Sequence, residues 1–163
     1  MTQLRSVLVG TVLAGLVWVP GLAQAPKALV VTARNVTAEA APNRADKSVA
    51  QPGDEIRYRL VFTNTTAGAV KNVQFVDPIP GGLVYALGSA TSDQRVRVEY
   101  SIDGGRTYSA QPMIAVEEDG KSVQKPAPPE RYTHVRWTVL GSLARGAQVT
   151  VEFRGRVNEA RGQ

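Results

Sequence analysis

The stretch EIRYRLVF (residues 55–62) alternates apolar and charged side chains, so an extended backbone puts Ile56, Tyr58, Leu60 and Phe62 on one face and Glu55, Arg57 and Arg59 on the other. A helix would scatter both sets. The same period of two recurs in RVRVEYSI (95–102), with Val96, Val98, Tyr100 and Ile102 inward and Arg95, Arg97 and Glu99 outward. THVRWTV (133–139) offers Val135, Trp137 and Val139 to a core, and AQVTVEFRGRV (147–157) offers Val149, Val151, Phe153 and Val157. Weaker strands are expected at residues 29–37, 70–76 and 83–87. About seven strands without a credible helix predict an all-β fold, an antiparallel sandwich that is immunoglobulin-like or prealbumin-like.

The breaks between these segments carry turn chemistry. QPGD (51–54), DPIPGG (77–82) and DGG (103–105) combine the fixed φ of proline with the freedom of glycine, and the chain is expected to reverse at each. Residues 113–130 hold a poor hairpin signal followed by three prolines, which predicts a long connection with an extended, proline-stiffened stretch. Residues 39–50 form a second polar connection. No block is repeated, so the pattern describes a single module.

Outside that pattern, the N-terminus has the order of a secretory signal peptide: Arg5, an apolar run from Val7 to Val19, then Pro20 and small residues. The run is too short for a spanning helix. Cleavage is expected after Ala23, because the alternative cut after Ala25 puts Pro26 just beyond it; a retained leader is the competing reading. Residues 24–163 then form one exported β-sandwich domain, periplasmic, cell-surface or secreted, with no membrane span after cleavage. The chain has no Cys and one His, which removes disulfides, thiolate metal sites and thiol nucleophiles. No cofactor or metal is expected. The formal charge of +5 includes Arg5 and is spread along the strands, so it is a poor argument for nucleic acid as a partner.

Within the module, Pro52-Gly53-Asp54, an alternating strand ending in Asn64-Thr65, and Asp77 with Pro80-Gly81 are followed by the strand tryptophan Trp137. Gly141, Leu143, Gly146 and a final alternating strand to Val157 complete the order. Over residues 29–158 this set resembles the domain of unknown function 11 family, a conserved repeat module of bacterial and archaeal envelope and surface proteins. The resemblance implies an immunoglobulin-like or prealbumin-like sandwich without an assigned activity or ligand. Against the repeated arrays of the family a single module is expected here, and it differs from the family in the insertion at 113–130.

Candidate functional residues fall into a few groups. SIDGGRTY (101–108) resembles the Asp-box pattern, in which Ser and Asp side chains satisfy backbone groups of a turn; Asp103 is therefore expected as a turn residue and not as a glycosidase acid. His134 should face away from Trp137 as an ordinary surface side chain. Asp54, Glu55 and Asp77 lack the dense spacing of a calcium loop and are expected in turn interactions. An isopeptide bond from Lys27 or Lys47 to Asn158 would need an inward acid, and the alternation shows none. Arg57, Arg59, Arg95, Arg97, Arg136, Arg154 and Arg156 would form an arginine-rich sheet face able to contact acidic glycans or other polyanions, against which Glu55, Glu99 and Glu152 argue for cross-strand pairing. The segment 27–37, with Leu29, Val30, Val31 and Val36, is apolar enough to pair with a strand edge in cis or in trans. The leading reading is a non-catalytic envelope or surface component whose partners are other proteins or copies of itself, assembling by strand-edge pairing. The alternative is a module that binds acidic glycans.

Overall fold

The computed structural model describes residues 28–159, and the expected leader and Lys27 lie outside them. In chain order the elements are β1 (Leu29–Asn35), α1 (Val36–Ala40), β2 (Glu55–Thr63), β3 (Val70–Lys71), β4 (Gln74–Pro78), β5 (Leu83–Tyr85) and β6 (Thr91–Ser92). There follow β7 (Val96–Ser101), β8 (Met113–Glu118), β9 (Lys121–Pro126), a 3-10 turn at Pro129–Arg131, β10 (His134–Val139), β11 (Ser142–Leu143) and β12 (Gln148–Val157). Among the described residues strand makes up 49 % and helix 6 %, so the fold is all-β, and every strand pairing is antiparallel.

Two sheets build the body. The larger runs β1-β2-β12-β5, with β6 also on β12, and the smaller runs β4-β10-β7. Their inner faces meet through aromatic contacts that fix which strand lies over which. Phe75 of β4 reaches Phe62 of β2 with ring centroids 5.8 Å apart, Trp137 of β10 reaches Phe153 of β12 at 6.2 Å, and Tyr100 of β7 reaches Tyr85 of β5 at 5.2 Å. Trp137, Val135, Val149, Val151 and Phe153 are completely buried between the layers. The inward sets of the four amphipathic segments supply most of this core; Ile56 is buried outside the main cluster, Val157 at the end of β12 is only half-buried, and Ile102 falls beyond the end of β7.

Because β5 and β6 occupy the same side of β12 end to end, the larger sheet is four positions wide and the smaller three. With β4 over β2, nothing in the smaller sheet lies over β1. The strand β1 is consequently exposed on both faces, with Leu29, Val30 and Val31 at 47 %, 43 % and 54 %.

Several boundaries differ from the sequence reading. The first strand stops at Asn35, whose side chain turns back to accept the Ala38 amide at 2.9 Å and caps α1; Val36 therefore belongs to a helix and not to the edge strand. The expected strand over 70–76 is split at Asn72, which takes φ +55°, into β3 and β4. The insertion at 113–130 is not an extended connection. Asp119 and Gly120 both have positive φ, +50° and +74°, the geometry of a two-residue hairpin turn, and β8 and β9 pair from Met113–Pro126 to Glu118–Lys121. This arm makes no substantial contact with any other strand, although Ala127 is buried at its base. The two-residue strands β3, β6 and β11, too short to show alternation, and the two strands of the arm bring the strand segments among the described residues to twelve, where about seven were expected.

Asn64, just past β2, shows why an amide is placed there. Fully buried, it donates to the carbonyls of Gly68, Leu143 and Ala144 at 2.8, 3.0 and 3.1 Å and accepts from the Thr66 amide and hydroxyl. Two loops are tied to one side chain, which meets the buried Leu143 carbonyl and those of exposed Gly68 and Ala144. Replacing it by alanine removes this whole set of bonds from a buried position, so Asn64→Ala should lower the unfolding free energy by about 2–3 kcal/mol, measured by denaturant titration. A loss below about 0.5 kcal/mol, the size of an ordinary surface change, would contradict this role.

Candidate interaction site

The turn QPGD is held by a carboxylate. The Asp54 amide donates to the Gln51 carbonyl at 3.0 Å, and the Asp54 carboxylate accepts from the Gln51 amide at 2.7 Å, from Asn35 Nδ2 at 2.6 Å and from Arg44 at 2.9 Å. Asp54 thus fastens α1 and the 41–50 connection to the start of β2. Arg44, the Gln51 amide and Asn35 hold the carboxyl well below the usual range. These oxygens are committed to protein donors, the turn role expected of Asp54.

Asp77 departs from expectation. Strand β4 runs through Asp77 to Pro78 before the chain turns, so Asp77 shares the inward parity of Phe75 and Ile79. Burial raises its carboxyl, the neighbouring His134 opposes that, and Oδ2 is buried without a partner among the described residues. The sequence reading, which found no inward acid, placed Asp77 in a turn. An isopeptide does not follow: Lys47 Nζ lies 3.4 Å from the Glu39 carbonyl, and Lys27 is outside the described residues.

On the smaller sheet's outer face, the loop after β7 folds back over the strands. Asp103 accepts from the Thr107 hydroxyl at 2.6 Å, the Thr107 and Arg106 amides at 2.9 and 3.0 Å, and the Ser101 hydroxyl at 2.7 Å, which together hold its carboxyl below the ordinary range. Gly105 has φ +84°, and a Cβ there would meet Tyr108 Oη at 3.1 Å and His134 Cε1 at 3.4 Å, so both backbone and space demand glycine. His134 faces away from Trp137 as expected, half-buried beside this loop, with Nδ1 3.1 Å from the Thr133 hydroxyl. Tyr108 lies under the Arg136 guanidinium, 4.0 Å from ring centroid to Cζ.

The arginines of the expected single face are divided between two. Arg95, Arg97 and Arg136 belong to the smaller sheet's side, where Arg136 and Arg97 approach Glu99 at 2.9 and 3.2 Å. Burial alone would raise Glu99, but these two guanidiniums outweigh it and hold the carboxyl below its usual value. Arg57, Arg59, Arg154 and Arg156 lie on the opposite side, the outer face of the larger sheet. Arg59 pairs with Glu152 at 3.3 Å and Arg154 with Glu55 at 3.0 Å. Arg34 joins this face from β1 opposite Arg57; its parity in a weakly alternating strand was the only sequence signal for it.

The apolar edge is the other exposed feature. The Thr63 amide donates to the Ala28 carbonyl at 2.8 Å, so alternation along the ladder turns the backbone groups of Val30, Thr32 and Arg34 toward β2 and those of Leu29, Val31 and Ala33 toward solvent. Leu29 and Val31 also share the inner face with Leu60 and Phe62, forming an apolar ledge that continues the core beyond β4. Arg34 is the only charge in β1, and no proline or bulge interrupts it.

A scan against protein-family models finds no match for this chain, and a search of curated proteins finds none either.

The depressed Asp54 carboxyl sets a pH dependence. Its folded value lies below the unfolded one, so its stabilisation is complete above about pH 5 and is lost as pH falls further. Asp54→Asn should melt lower than the parent at pH 7 and lose less on acidification from about pH 4 to pH 2. Parallel melting curves of parent and variant across that range would contradict the assignment.

Proposed function

We propose that this protein is a non-catalytic, exported β-sandwich module of the cell envelope or surface, working through its surfaces and associating with copies of itself by strand-edge pairing at β1. The observation that carries the reading is the overhang: one strand wider than its partner sheet, the larger sheet ends in an edge that presents outward amides and carbonyls beside an apolar ledge. Such an edge is a template for another strand. A second copy placed antiparallel on the first would satisfy both open edges at once and cover both ledges, the self-complementary geometry of a two-fold interface.

Within this proposal the body is an immunoglobulin-like or prealbumin-like sandwich of seven strand positions, similar to the domain of unknown function 11 family. Two marks of the resemblance, Pro-Gly-Asp and Asn-Thr, fall on structural duties, the Asp54 clasp and the Asn64 amide, and the third, Asp77 with Pro80-Gly81, lies at the end of β4 and the turn after it. Asp103, the one residue suggestive of glycosidase-type sequences, has its carboxylate taken up by its own loop. These uses of polar side chains favour a scaffold over an active site. The leader-like N-terminus supports export.

Light scattering after size exclusion, over a dilution series, should give a dimer that dissociates on dilution. Val31→Lys charges the ledge, and Ala33→Pro removes an outward amide without touching a rung to β2. Both should be monomeric at every concentration with circular-dichroism spectra unchanged. A parent protein that is monomeric throughout the series would contradict the proposal.

A further inference from the structure

On the larger sheet's outer face, Arg34, Arg57 and Arg154 stand directly opposite one another across β1, β2 and β12. Like charges in register repel, and a sheet selected only for stability would alternate their sign. The outer two have acidic neighbours: Arg34 lies 3.6 Å from Glu39, and Arg154 lies 3.0 Å from Glu55. Arg57, between them, makes neither an ion pair nor a side-chain hydrogen bond among the described residues. Beside it Thr32, Arg34, Arg57, Arg59 and Val61 line a depression of about 380 Å³.

We infer that this row is a binding site for a linear saccharide bearing sulfate or phosphate groups, which lies across the strands and places its oxyanions on Arg34, Arg57 and Arg154. Neighbouring strands are about 4.8 Å apart, so the row spans roughly 10 Å with positive charge at each step. That suits an extended polyanion better than a single ion. Guanidinium forks hold such oxyanions by paired hydrogen bonds. The aromatic residues of this sheet, Tyr58, Phe62, Tyr85 and Phe153, face inward, so among the described residues its outer face lacks the stacking platforms that single-stranded nucleic acid uses. The inference goes beyond the edge-pairing proposal and does not depend on it. It also narrows the arginine face to the larger sheet, leaving Arg97 and Arg136 to Glu99.

The test uses a heparin-derived oligosaccharide as probe, titrated into the protein by calorimetry at several salt concentrations. Vesicles of phosphatidylglycerol and inorganic sulfate serve as parallel arms. The oligosaccharide should bind, with affinity falling steeply in salt. Arg57→Gln should weaken it about tenfold and reduce the salt slope by roughly one, the loss of a single oxyanion contact. Arg34→Gln, at the exposed edge, should act in the same direction. Arg97→Gln, on the opposite face, should leave binding within about twofold, and light scattering should show the same oligomeric state for parent and Arg57→Gln. Equal losses for Arg57→Gln and Arg97→Gln would mean diffuse charge and overturn the site. So would absence of oligosaccharide binding, or vesicle binding tighter than oligosaccharide binding.

Discussion

Three strands cannot cover four. The pairing of Phe75 with Phe62, Trp137 with Phe153 and Tyr100 with Tyr85 fixes β4 over β2, β10 over β12 and β7 over β5, and leaves β1 without a facing layer. Held by its ladder to β2 alone, β1 gains little from hydrophobic burial, yet it carries aliphatic side chains on both faces. An edge composed this way is either a liability or an interface. The functional account rests on that choice.

Around this frame, small polar side chains close the loops without disulfides. Asp54 gathers Gln51, Asn35 and Arg44; Asn64 gathers Gly68, Leu143 and Ala144; Asp103 gathers Ser101, Arg106 and Thr107. In each case a carboxylate or amide satisfies buried or turn backbone groups that regular pairing does not reach. This explains why motif residues that suggest metal binding or catalysis serve as joints. The charged outer faces follow the same economy, since Glu55, Glu99 and Glu152 each pair with a neighbouring arginine, while Arg57, like Arg95 and Arg156, has no ion pair among the described residues.

The core was legible because alternation is a direct consequence of strand geometry: Ile56 to Phe62, Val135 to Val139 and Val149 to Phe153 occupy the inward positions their parity indicates. What escaped was whatever depends on partners distant in sequence. Arg34 and Arg154 become neighbours of Arg57 only through the register of three strands, and the width mismatch exists only once both sheets are assembled. The β8–β9 arm was missed for a local reason. The Asp119-Gly120 turn is strong, but its flanking residues alternate poorly because the arm stands largely free of the body. Asp77 was misplaced because Pro78 suggested a turn one step early, whereas an edge strand such as β4 tolerates proline.

Amide hydrogen exchange of β1 in dilute solution tests the central claim most directly, because an edge strand is protected on one side only. The account predicts slow exchange at Val30, Thr32 and Arg34, whose amides face β2, and fast exchange at Leu29, Val31 and Ala33. Uniform protection along β1 in the dilute monomer, or none at Val30, Thr32 and Arg34, would contradict it.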